Sequence, residues 1–143
     1  MSFRRFFIPV DGSKNALEAC EMAVRLAEMG EEKVILAHCH DAIPDRVQGH
    51  PRDELMLDLQ KEAEDIFAKC TPIFEKAKIP VETIILFGSQ GPTLAEAADE
   101  HKCDLIIMGT KGHSNLGNLF LGSVSTAVIH NTQLPVMLVP EKF

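Results

Sequence analysis

Cys103-Asp104-Leu105-Ile106-Ile107-Met108-Gly109-Thr110-Lys111-Gly112-His113-Ser114-Asn115-Leu116-Gly117-Asn118-Leu119-Phe120-Leu121-Gly122-Ser123-Val124-Ser125 joins a short apolar run to a glycine-dense connection. The run Leu105 to Met108 offers apolar side chains to both faces, as a strand does when helices cover it on either side, and this is the pattern of a parallel sheet in an α/β domain. The connection that follows holds four of the chain's nine glycines within fourteen residues, Gly109 to Gly122. Glycine admits positive φ and lets a ligand come close to the backbone, while peptide N–H groups at a helix start bind anions without any side-chain charge. Ser123 and Ser125 add hydroxyls where the next helix begins, and Lys111 adds a nearby positive charge. The segment reads as a phosphate cradle at the carboxyl end of a central strand.

Working outward, four more apolar runs of strand length alternate with segments of helical period, the order expected of parallel βαβ units. They are Arg5–Val10, Lys33–His40, Val81–Phe87 and Pro135–Pro140. Ala16, Leu17, Cys20, Ala23, Val24 and Ala27 recur at three- and four-residue spacing, which predicts a first helix capped by Ser13 and stopped at Gly30. Residues 41–51 read as an irregular surface loop placed to cover a site. A second helix is expected from an N-cap at Asp53, with Leu59, Ala63, Ile66, Phe67, Cys70, Ile73, Phe74 and Ala77 as its apolar stripe and a kink or break at Pro72. Gly91-Pro92 predicts the start of a third helix, with the proline in its first position, and a fourth runs from about Ser123 to Asn131.

The composition bounds what such a domain does. At 143 residues the chain is expected to be one domain, 1–143, and its net charge of −7 argues against a nonspecific hold on nucleic acid or an anionic membrane. No apolar run approaches the roughly 20 residues that span a bilayer, and the residues after Met1 are not those of a leader, so a cytoplasmic location is expected. Cys20, Cys39, Cys70 and Cys103 lie in segments that read as buried and show no short ligand spacing; they are expected to be free thiols in a reducing compartment.

Two familiar phosphate loops fail to match. Gly112 to Gly117 has P-loop glycine spacing, but Asn118-Leu119 stands where Lys and Ser or Thr would be needed. The first strand ends in Asp11-Gly12-Ser13 rather than in a dinucleotide fingerprint. The spacing Gly109, two residues, Gly112, nine residues, Gly122-Ser123 resembles instead that of the universal stress proteins that bind ATP. The resemblance extends to Pro9-Val10-Asp11, His38 on the second strand, Gly91-Pro92 and the Pro135–Pro140 terminus, and so spans nearly the whole chain.

This resemblance implies an open five-stranded parallel sheet of order 3-2-1-4-5 with helices on both faces, a Rossmann-like fold with its ligand at the switch point between strands one and four. It also implies that Pro9, Val10, Asp11 and Cys39 line an adenine pocket and that Met108 and Gly109 lie by the ribose. Gly112, Gly122, Ser123, Val124 and Ser125 would hold the phosphates, with Mg or Mn bound, if at all, through them. Cys39 departs from the family, which commonly has an aliphatic residue there. Pairing of the fifth strand, 135–140, with its copy in a homodimer is implied as well.

Each reading has a plainer rival. The glycines serve an ordinary loop, Asp11 a turn, and Lys111 and His113 a solvated surface; His38 and His40, two apart on a strand, face one side as a pair of metal ligands would; the prolines at 135 and 140 blunt an edge. Three functions follow: a dimeric ATP-binding module of stress signalling or protection, a slow ATP hydrolase, and a nucleotide-free dimeric scaffold acting through an unidentified protein partner. The first is favoured, with no side chain standing out as a general base.

Overall fold

A computed structural model describes residues 3–27, 30–111 and 121–142. In chain order the elements are β1 (Arg5–Pro9), α1 (Lys14–Leu26), β2 (Lys33–His40), α2 (Gly49–Lys76), β3 (Val81–Phe87), α3 (Gln90–Glu100), β4 (Leu105–Gly109), α4 (Ser123–Asn131) and β5 (Val136–Val139). The strands form one parallel sheet in the order β3-β2-β1-β4-β5, as the resemblance implied. Phe6 pairs with Leu105 and Phe7 with Ile106, so β1 and β4 are neighbours although most of the chain separates them.

Alternation along the strands divides the core between the two faces of the sheet. Phe6, Ile8, Val34, Leu36 and Ile107 pack under α1 and α2 with Phe74 and Phe67. Phe7, Ile35, Ile106 and Met108 pack under α3 and α4 with Leu94 and Val128. Most of these side chains are fully buried, and each contributes roughly 1.5–3 kcal/mol by leaving water. Cys20 and Cys70 lie on the first face and Cys39 and Cys103 on the second, all four free and buried. The Cys20 thiol, hydrogen-bonded to Cys70 across α1 and α2 and buried, is held far above its ordinary pKa.

α1 ends at Leu26 with Ala27 as its C-cap rather than at Gly30, and the other helix boundaries depart from expectation in three places, each for a reason at the backbone. α2 begins at Gly49 rather than after Asp53, with Gln48 as its N-cap. Pro51 falls in its first turn, where an N–H has no partner to lose. Pro72 does not end the helix: the assigned helix runs through it to Lys76. The carbonyl of Ala68, which loses its donor there, sits on an exposed residue within reach of water. α3 begins at Gln90, so Pro92 occupies its third position, where the same tolerance applies. Ser13 caps α1 as expected, its side chain accepting from Ala16 N at 3.2 Å.

Candidate functional site

At the carboxyl ends of β1 and β4 the connections leave in opposite directions, β1 toward β2 and β4 toward β5, which opens a crevice between them. An open cleft lies there, and five predicted site residues line it: Pro9, Val10, Asp11, Cys39 and Gly109.

The β1 side is fixed by local bonds. Val10 N donates to Ala37 O at 2.8 Å, extending the ladder one residue past β1. Asp11 Oδ1 accepts from Ser13 N at 2.9 Å, an Asx turn that brings the chain into α1 through Gly12 at φ +84°. His38 Nδ1 donates to Val10 O at 2.7 Å, and His40 Nε2 donates to Leu59 O of α2 at 2.9 Å, with the two rings edge to face at 4.6 Å. One nitrogen of each imidazole therefore serves a backbone carbonyl. Gln90 Nε2, from the first turn of α3, donates to Cys39 O at 2.6 Å. The Cys39 thiol is pushed up to about 11, by burial first and by Asp41 second, so it stays protonated.

The β4 side is arranged around Gly109. A Cβ there would come within 2.5 Å of Cγ and Oδ1 of Asn15, so the absent side chain makes room for a protein carboxamide. Ser125 Oγ donates to Gly109 O at 2.8 Å, which draws the first turn of α4 against the end of β4. Gly122 N donates to Thr110 O at 2.6 Å, and Gly122 is the N-cap of α4. Having no side chain, it places no capping oxygen over the amides of Ser123, Val124 and Ser125. Lys111 Nζ stands 3.8 Å from Glu141 Oε2, which offsets the lysine charge at the rim of the cleft.

Met108 lies elsewhere, its side chain buried in the core under α3 and α4. Ser123 is exposed, Val124 half-buried and Ser125 buried at the start of α4, beside the cleft rather than along its described wall. Gly112 and His113 lie outside the described residues. Asn15, Ser13, Ala16, Ala37, Gln90 and Leu94 also line the cleft and were not among the expected residues. Asn15 had one sequence signal: a poor helix former placed in the first turn of a strongly periodic helix.

The fold and its cleft define an open, doubly wound α/β domain whose candidate site lies at the topological switch point. The Universal stress protein family model matches residues 2–140, and the chain belongs to that family. The universal stress protein MJ0531 of Methanocaldococcus jannaschii is 33% identical over 141 residues, covering 96% of this chain and 82% of its own. The solved structure of MJ0577 from the same organism is 28% identical, with a TM-score of 0.86 over 100% of this chain and 99% of that one. A universal stress protein in complex with cAMP shares the fold at 24% identity, with a TM-score of 0.69 over 97% and 98% of the two chains. An Arabidopsis thaliana member of the family with AMP bound does so at 14%, also at 0.69, over 97% and 92%.

Proposed function

We propose that this chain is a dimeric, adenine-nucleotide-binding module that takes ATP at the switch-point cleft and serves stress signalling or protection through its bound state. The observation that carries the reading is convergence. Pro9, Val10 and Asp11 from the end of β1, Cys39 from β2 and Gly109 from β4 line one cleft, beside a helix start whose cap has no side chain. The cAMP and AMP complexes of the fold relatives supply the ligand class. Pro9, Val10, Asp11 and Cys39 then face the base, and Met108 and Gly109 meet the ribose through their backbone. Gly112, Gly122, Ser123, Val124 and Ser125 direct amides and hydroxyls at the phosphates, where helix N-terminal N–H groups hold anions in a molecule of net charge −7. Asp11 is the one carboxylate among the described residues that line the cleft, so Mg or Mn would be carried chiefly by the phosphates.

The dimer reading rests on β5. Pro135 O accepts from Ile106 N, so in a parallel ladder Met137 faces β4 while Val136 and Leu138 turn their peptide groups to the other edge. That edge suits a second copy of the strand.

The test is to denature the purified protein and identify any released nucleotide by mass spectrometry, with Gly122→Asp as the control. Aspartate is a good N-cap, so α4 should persist while its carboxylate takes the amides intended for phosphate. The reading expects an adenine nucleotide from the wild type and none from the variant. Nucleotide released equally from both would overturn it.

A further inference from the structure

Asn15 stands in the first turn of α1, only 3% exposed, with both ends of its carboxamide engaged. Its Oδ1 accepts from Lys111 N at 2.9 Å. Its Nδ2 donates to Val139 O, the last residue of β5, also at 2.9 Å. Lys111 N belongs to the same peptide unit as Thr110 O, and that oxygen accepts from Gly122 N at 2.6 Å. The Thr110–Lys111 peptide is therefore gripped at both its polar atoms, and its orientation sets where Gly122, and so the start of α4, lies. Asn15 occupies the space a side chain at Gly109 would take, which leaves the carboxamide little room to turn.

The residues after β5 are tied to the same place. Lys142 N donates to Glu18 Oε2 at 2.9 Å, Lys14 Nζ to Lys142 O at 3.4 Å, and Lys111 Nζ faces Glu141 Oε2. A displacement of the Thr110–Lys111 peptide thus bears on Val139 through one buried side chain and on Glu141 through one ion pair.

We propose that Asn15 is a positioning residue that holds the peptide at the phosphate end of the cleft and links its geometry to β5. Ligand binding and the order of the C-terminal edge strand are then coupled. This rests on the nucleotide reading above. A ligand that orients the 110–111 peptide tightens the Asn15 bonds, and Val139 gains that order at the other end of the carboxamide. β3, the opposite edge, has no bond to Asn15 and serves as an internal control for global stabilisation.

The experiment is amide hydrogen exchange on the full chain with and without ATP and Mg²⁺, comparing Met137 to Val139 with Val81 to Phe87. The wild type should show exchange slowed about tenfold more in β5 than in β3. In Asn15→Leu, which keeps the branched shape and loses both hydrogen bonds, ATP should bind more weakly and the β5 excess should vanish. Asn15→Asp, which keeps the acceptor for Lys111 N and loses the donor to Val139 O, should also lose the β5 excess. Wild-type protein that binds ATP with equal protection at both edges overturns the coupling, and so does a β5 excess that survives in Asn15→Asp. Wild-type protein that gives no binding heat overturns the nucleotide reading, and the coupling with it.

Discussion

Gly109 is glycine because Asn15 stands where its side chain would go. Gly109→Ala places a Cβ within 2.5 Å of the Asn15 carboxamide, and overpacking of this kind costs about 1–3 kcal/mol. Urea unfolding should show that loss, and in Gly109→Ala/Asn15→Ala the two effects should fall short of additive, since one removes what the other collides with. Strict additivity would contradict the contact. Gly91 poses the same problem between helices: a Cβ there lies 2.7 Å from Ala127 Cβ and 2.8 Å from Ala127 O. Gly91→Ala should therefore destabilise the fold even though alanine favours a helix by about 1 kcal/mol. The thiols carry a pH dependence. Cys39 and Cys103 are both raised from 9.0 to about 11, with burial the largest cause. Between those values the folded chain holds protons that the unfolded chain has released. The stability these thiols contribute is thus complete below pH 9 and lost as pH rises toward 11. A Cys39→Ala/Cys103→Ala variant should lose less stability than the wild type across that window, and an equal loss would count against the assignment.

At the scale of elements, α2 is one helix with an exposed outer half and a buried inner half. No residue from Gly49 to Glu62 is buried, whereas Ala63, Ile66, Phe67, Cys70 and Phe74 lie in the core. His40 at Leu59 O is a tie from the sheet to the outer half. Hydrogen exchange should run fast from 49 to 62 and slow from 63 to 74, and His40→Ala should speed the former without touching the latter. The buried half was legible because its stripe recurs at helical period. Only the first turn of α2 was not: residues 49–52 carry no apolar periodicity, the Gln48 side chain caps no helix amide, and Pro51 reads as loop in any sequence. Pro72 misled in the other direction, since what decides its effect is whether the abandoned carbonyl meets water, and that is a property of packing. β2 and β3 ended where they were expected to because Gly88 and the turn residues that flank them leave few alternatives.

For the molecule as a whole, periodicity supplied the number and kind of elements but not their order. The placing of β1 against β4 came from the glycine spacing and the family it resembles, and the register confirms it. Contacts such as Asn15 to Val139, 124 residues apart, leave no trace in a single sequence. Assembly is open to a direct test. Leu138→Pro removes an amide that faces the free edge of β5 and spares those facing β4. Each copy of a two-fold dimer loses one such amide, so sedimentation should show the dimer weakened roughly thirtyfold, at about 1 kcal/mol for each of the two lost hydrogen bonds. An unchanged dimer would move the interface elsewhere. Nucleotide binding at the cleft is open to an equally direct test. Calorimetric titration of the purified, nucleotide-stripped protein with ATP and Mg²⁺ should give saturable heat that Gly122→Asp abolishes. Absence of heat and of saturation in the wild type at millimolar ATP would contradict it.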